Sequence, residues 1–310
     1  MVCPLSRMVQ DDPSRARGAP WAGGLIFPLG RPRCCLGPTG RCSFPRVSEA
    51  PSDDVKIRAQ VYKDPRPPEH FDRFHERTRT RSPDIVYEIV RVATTLYSWI
   101  LFRVRGIDAE HVPASGPVIL APNHSSFMDH FLIGASIRRK VQFMAKSQLF
   151  KPPMQFIYTH GGVFPVRRGH RDEETFVTAL KILDDGGCVA MYCEGGRSRT
   201  GRIGDVARPG IGRLALESGA MIVPVAVHGS ARVRNWRRLQ FPTVTVQYGE
   251  PFRYQRVEEP TRDQQQAVAD EILEDIRGLY DGLDAVGRPA ALARARAERR
   301  ARRAKRTAAA

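Results

Sequence analysis

From Val112 onward, short apolar runs alternate with amphipathic stretches. Val118–Ala121, Val141–Ala145, Gly162–Val166, Cys188–Cys193, Ile222–Val227 and Thr243–Tyr248 read as strands. Between them, a loop and helix after Ala121, a helical region over about 151–160, and the segments Asp172–Asp184 and Gly210–Ser218 read as helices. In Asp172–Asp184, Phe176, Leu180 and Leu183 share one face, and Gly186-Gly187 follows as a stop. Thr261–Leu283 closes the pattern as an amphipathic helix, with Val268, Ile272, Ile276, Leu279 and Leu283 in one row. This alternation predicts an α/β fold with a mixed, largely parallel central sheet flanked by helices. Pro224 inside Ile222–Val227 suggests a buried strand near an edge.

Upstream the pattern changes. Ser82-Pro83-Asp84 has the form of a helix start, with Ser82 as N-cap, and the helix is expected to run over 83–105 and stop at Gly106. Glu88, Arg91, Thr95 and Ser98 form one narrow polar stripe. Ile85, Ile89, Val92, Leu96 and Trp99 form an apolar row, and Val86, Val90, Ala93, Tyr97 and Leu101 form a second beside it. So wide an apolar face either packs on the domain or lies in a bilayer interface, with Tyr97 and Trp99 near the headgroups. The longest uncharged apolar stretch is Val92 to Phe102, short of the ~20 residues a spanning helix needs, so a peripheral rather than a membrane-crossing placement is expected. Residues 1–50 are rich in Pro, Gly and Arg without periodicity and are expected to be disordered. Residues 51–82 read as a polar linker, 83–286 as the domain proper, and 287–310 as a basic tail, disordered or helical.

Charge sharpens the picture. The formal net charge is +16, and the last 24 residues hold nine basic groups against one acidic. Such a tail favours an anionic partner, phospholipid headgroups or nucleic acid. It has no interleaved aromatic residues to stack on bases, so no nucleic-acid partner is expected. Of six cysteines, Cys34, Cys35 and Cys42 lack paired metal-ligand spacing, and Cys188 and Cys193 bracket an apolar strand as small buried groups. No metal is expected, and a reducing, cytosolic compartment is.

Three clusters carry candidate chemistry, each directly after a strand or at its end. The first is Asn123-His124-Ser125-Ser126-Phe127-Met128-Asp129. Histidine is the natural general base near neutral pH, and a carboxylate can hold one ring nitrogen while the other acts. Two residues five apart on an ideal helix differ by about 140° in direction, so they would not meet on one helical face. His124 must sit in the loop, with Asp129 in the first turn of the next helix reaching back. Ser125 and Ser126 lack the G-x-S-x-G elbow of a serine nucleophile. The second cluster, Gly161 to Arg168, ends a strand in Arg167-Arg168, whose guanidinium forks suit a phosphate. The third, Cys193 to Arg202, combines Gly195 and Gly196 with several arginines, again suited to an anion, though it is not a P-loop.

These clusters and the Ile222–Val227 strand, in this order over about residues 85–250, resemble the glycerophosphate and lysophosphatidate acyltransferase family. The first matches that family's N-H-x4-D block in full. The resemblance implies that His124 deprotonates the acceptor hydroxyl and that Asp129 orients it, with direct transfer from thioester to ester. It places the phosphate-binding arginine on Arg167. It implies that Glu194, Gly195, Gly196, Arg197 and Ser198 help bind the glycerol phosphate, and that the strand around Val223 to Val225 lines the acyl or acceptor pocket. The implied donor is acyl-CoA or acyl carrier protein, with no other cofactor. The implied acceptor is 1-acylglycerol-3-phosphate or, because Gly196 stands where many lysophosphatidate enzymes have Thr, glycerol-3-phosphate or another lysolipid. The implied location is peripheral, on an anionic membrane surface at the cytoplasmic face of the cell membrane.

Overall fold

The structure, a computed structural model, describes residues 7–9, 64–168, 172–198, 200–233 and 239–308. Its strands are β1 (Arg7–Val9), β2 (Arg105–Ile107), β3 (Val118–Pro122), β4 (Gln142–Lys146), β5 (Phe164–Val166), β6 (Cys188–Ala190), β7 (Met221–His228), β8 (Thr245–Tyr248) and β9 (Phe252–Tyr254). Its helices are α1 (Glu69–Thr80), α2 (Ile85–Phe102), α3 (Asp129–Ser136), α4 (Met154–His160), α5 (Glu173–Asp184), α6 (Pro209–Ser218) and α7 (Arg262–Ala308). One sheet runs in the order β1-β9-β7-β3-β6-β4-β5, with β8 pairing β7 and β2. The five strands β7, β3, β6, β4 and β5 are mutually parallel, while β8 and β9 run antiparallel to β7. The expected mixed, largely parallel sheet is therefore present.

The apolar runs are strands because both of their faces are covered. On one face Ile119, Val189 and Ile222 pack under α5, α6 and α7. On the other, Val118, Leu120, Val223 and Val225 pack under Leu132, Ile133 and Phe102. Val223 and Val225 are thus core residues of a central strand, not open pocket walls. Pro224 is not at an edge either. The N–H groups of Met221, to Pro117, and of Asn123, to Val225, put the odd-numbered residues of β7 against β3. Pro224 faces the other way, where β7 changes neighbour from β9 to β8 and its carbonyl accepts Gly249 N–H at 2.8 Å. The missing donor costs no ladder bond there. Cys188 and Cys193 are buried as expected, and burial pushes the Cys188 thiol up to about 12.

Several boundaries differ from the sequence reading. Asp84, not Ser82, caps α2, accepting Val86 N–H at 2.9 Å. Helix α2 ends at Phe102 on Arg103, which takes a left-handed conformation at φ 45. Gly106 lies inside β2, where the strand's pairing with β8 overrides its value as a stop signal. The segment expected as a polar linker contains α1, which buries Phe71 and Phe74 against Phe150. In the segment expected to be disordered, Arg7–Val9 pairs with β9; residues 10–63 lie outside the described residues. The basic tail is helical. α7 kinks at Gly287, φ 72, and its far part lays Ala291, Leu292 and Ala295 on Ile107 and Leu283.

Helix α2 is arranged with its polar side inward. Tyr87, Ser98 and Phe102 are buried, Arg91 donates to the carbonyl of Arg138 at 3.0 Å, and the Tyr87 hydroxyl accepts Val141 N–H at 3.0 Å. The apolar row faces out: Ile85 is 69%, Ile89 61%, Leu96 55% and Trp99 57% exposed. By length and composition this helix is also apolar enough to cross a membrane, a possibility the uncharged-run criterion passed over. Of its polar stripe, Glu88 pairs with Arg91 and Lys140, Arg91 reaches the domain, and Ser98 is buried with its hydroxyl unpartnered.

Helix α6 meets α7 at Gly212, where an added Cβ would stand 1.9 Å from the Gln265 carbonyl oxygen. Overpacking of that kind costs about 1–3 kcal/mol. Gly212→Ala should lower the thermal unfolding midpoint by several degrees; an unchanged midpoint would mean that the two helices do not approach this closely.

Candidate active site

Four neighbouring parallel strands deliver the site from their carboxyl ends: His124 after β3, Lys146 at the end of β4, Arg167 and Arg168 after β5, and residues 192–198 after β6. This is the edge at which open α/β sheets bind ligands. Asn123 sets the exit from β3. Its backbone N–H reaches Val225 at 3.3 Å, and its side-chain amide both accepts Val227 N–H at 2.7 Å and donates to the Val227 carbonyl at 3.3 Å. The side chain thereby extends the ladder by one step while the backbone turns away, which presents His124 above the sheet edge.

Asp129 is the first residue of α3 and is fully buried. Its Oδ2 accepts three N–H groups, each at 2.8 Å: His124 Nδ1, Ser125 N and Ser126 N. The loop-then-first-turn geometry expected of the pair is present. An ionised carboxylate is acceptor-only, so the imidazole carries its proton on Nδ1 and leaves Nε2 as a lone-pair base. The two serines serve through backbone N–H groups, not as nucleophiles. The His124 ring stacks on Tyr192, centroids 3.9 Å apart and 21° between planes. Burial pulls the His124 pKa below its ordinary value; the bond and charge of Asp129 push it up, and Arg197 and Arg168 push it further down.

The third cluster braces the imidazole. Glu194 Oε1 accepts the backbone N–H of His124 at 3.2 Å, and Glu194 also accepts Gly204 N–H. Ser198 N–H in turn reaches the His124 carbonyl at 2.7 Å. Glu194 and Ser198 therefore clamp the His124 peptide from both sides, a use the sequence did not disclose. Gly195 has φ +64, its N–H closes a turn onto Tyr192 at 3.1 Å, and a Cβ would stand 2.7 Å from Arg208 Cγ, so only glycine fits. Gly196 leaves space into which Arg168 reaches, with Nη1 3.7 Å from where a Cβ would be.

The basic residues divide. Arg168 and Arg197 act electrostatically on both His124 and Lys146, and Lys146 is held down to about 8 by burial and by those two arginines. Arg167 points elsewhere: its guanidinium donates to the Arg66 carbonyl at 3.2 Å and its backbone N–H to Asp172 at 2.5 Å. The structure thus brings together His124, Asp129, Arg197 and Arg168, adds Lys146, which carried no signal outside an ordinary strand end, and turns Arg167 toward the 64–66 segment. Among the described residues no cluster of three or more His, Cys, Asp or Glu side chains could hold a metal ion.

Residues 103–228 match the family model described as Acyltransferase. The matched span holds His124, Asp129, Lys146, Arg168 and Arg197. The chain is 28% identical over 145 residues to a chloroplastic 1-acyl-sn-glycerol-3-phosphate acyltransferase of Arabidopsis thaliana, covering 45% of this chain and 39% of that protein. It is 28% identical over 156 residues to a glycerol-3-phosphate acyltransferase of Aeromonas hydrophila, covering 45% of this chain and 19% of that protein. A solved structure of the 1-acyl-sn-glycerophosphate acyltransferase of Thermotoga maritima covers 67% of this chain and 89% of that one, at 21% identity and a TM-score of 0.49. The chain thus spans about two fifths and one fifth of the two curated relatives' lengths.

The charges around the His124–Asp129 pair predict opposite shifts in a pH profile. Protonation silences the base, so activity falls as pH drops through the His124 pKa. Arg197→Ala removes a cation that holds this pKa down, and the acidic limb should move to higher pH. Asp129→Asn removes what holds it up, and the limb of its residual activity should move to lower pH. Limbs that coincide with the parent's in both variants would mean that another group sets the profile.

Proposed function

We propose that the protein transfers a fatty acyl group from a thioester of coenzyme A or acyl carrier protein to the free hydroxyl of a lysophosphatidate, without a further cofactor. The observation that supports this most is the His124–Asp129 pair at 2.8 Å with Arg168, Arg197 and Lys146 acting on the same space. A base alone suits many reactions; a base beside three cations suits an alcohol that carries a phosphate. Two exposed apolar side chains lie close in sequence to the dyad and the lysine, Phe127 in the His124 loop and Leu149 after β4, and favour an acceptor with an acyl chain over free glycerol phosphate.

In this reaction the acceptor phosphate docks on Arg168 and Arg197 with Lys146, and its hydroxyl lies against His124 Nε2. The imidazole takes the hydroxyl proton as the oxygen attacks the thioester carbon. The carbon–sulfur bond then breaks, and the imidazolium returns the proton to the departing sulfur. Asp129 stabilises the transient imidazolium, while Glu194 and Ser198 keep its backbone from shifting. Gly195 N–H is engaged in its own turn and does not serve the oxyanion.

The outward apolar row of α2 and the basic end of α7 support a peripheral position on an anionic membrane, at the cytoplasmic face of the cell membrane. The lipid substrate would then be drawn from the surface on which the enzyme sits.

One labelled acyl thioester, offered with lysophosphatidate, glycerol-3-phosphate and uncharged lysolipids in turn, tests the acceptor. Lysophosphatidate should give the highest kcat/KM; preference for glycerol-3-phosphate would overturn the acceptor assignment. With the preferred acceptor, His124→Ala should lower kcat by a factor on the order of 10²–10⁴ with the fold intact. Arg168→Ala should raise the acceptor KM more than Arg167→Ala does, and the reverse order would return the phosphate to Arg167.

A further inference from the structure

Three arginines collect just past the C-terminal end of α2, away from the acyl-transfer site. Arg103 is exposed and held in the left-handed conformation, φ 45, at a cap position where glycine is usual. Arg105, two residues on, is also exposed and lies over the Trp99 ring, 5.3 Å from its centre. Arg288 arrives from the far end of the chain. The Gly287 kink brings it back so that its Nη2 donates to the Arg103 carbonyl, while its Nη1 is buried without a hydrogen-bond partner. Burial and the charges of Arg105 and Arg103 all depress the Arg288 pKa, with no carboxylate among its influences.

A cation at a helix C-terminus is ordinary, because it meets the negative end of the helix dipole. That accounts for Arg288 alone. It does not account for two more guanidinium groups at the same place, one stacked on an exposed tryptophan. Trp99 belongs to the outward apolar row of α2, so the cluster lies where that row ends. An apolar strip ending in an aromatic ring and a group of cations is the chemistry of a bilayer interface: hydrocarbon along the strip, ring at the headgroup level, phosphates beyond it.

We propose that Arg103, Arg105 and Arg288 form a headgroup-phosphate site that anchors the end of α2 on an anionic phospholipid bilayer. This rests on the peripheral membrane reading above. The kink at Gly287 then has a role: it carries one arginine of the site across to the other two, so the basic end of α7 contributes a placed side chain and not only bulk charge.

The test is co-sedimentation of the full chain with vesicles of phosphatidylcholine alone and of phosphatidylcholine with phosphatidylglycerol, at low salt. Arg103→Asn/Arg105→Gln keeps Arg288 and its carbonyl bond, and asparagine tolerates the left-handed cap. This variant should lose roughly 10- to 30-fold in binding to the anionic vesicles, as two basic residues at about 1 kcal/mol each imply. It should bind the neutral vesicles as the parent does. Arg296→Gln/Arg303→Gln, two exposed residues of the same helix, removes equal charge elsewhere and should lose about threefold or less. Equal losses in the two double variants, or none in the first, would overturn the site while leaving the membrane reading in place. A parent protein that binds neither vesicle would overturn both.

Discussion

One carboxylate oxygen organises the candidate active site. Asp129 Oδ2 gathers the His124 imidazole and two successive backbone N–H groups. Each donor lies at ordinary hydrogen-bond length, and the carboxylate is buried, where such bonds are stronger and a missing one is costly. The two backbone bonds fix the 125–126 turn, the turn fixes where the chain leaves His124, and the ring bond fixes the tautomer. The imidazole is thereby fixed in place, orientation and tautomer by a single side chain. The brace of Glu194 and Ser198 on the His124 peptide guards the same geometry from the adjoining strand.

The sheet explains why these groups meet at all. Residues 124, 146, 168 and 197 are far apart in sequence, yet each ends or follows a strand of one parallel set. Parallel strands place all their carboxyl ends on one edge, so each strand-to-helix connection opens onto the same crevice. The apolar side chains buried on both faces supply the rigidity, and the site asks of each strand only that it end at the right height. Asn123 trims that height for β3 by standing in for one more residue of the ladder.

Much of this was readable from the residues in order. The strand–helix rhythm gave the sheet, and the five-residue interval between His124 and Asp129 required a loop and a first helical turn. Other features were hidden because they depend on partners distant in sequence. Nothing local distinguishes Arg167 from Arg168; the bond of Arg167 to the Arg66 carbonyl comes from a segment expected to be a linker. The bond of Glu194 to the His124 N–H crosses 70 positions and could not be read from the residues in order. The wide apolar face of α2 was visible, but which face would meet the domain was not. The structure turns inward the side on which Arg91 and Tyr87 find partners, and leaves the row from Ile85 to Trp99 outward. Gly106 gave a stop signal that strand pairing overrode, and the basic tail concealed the apolar contacts of Ala291 and Leu292.

The central claim is that Asp129 holds His124 with its proton on Nδ1 and its base on Nε2. Nitrogen NMR of the full chain with labelled histidine, the His124 signals assigned by their absence in His124→Gln, reads this directly above the histidine pKa. The account predicts a proton bound to Nδ1 and an unprotonated Nε2. A proton found on Nε2, with Nδ1 bare, would contradict it.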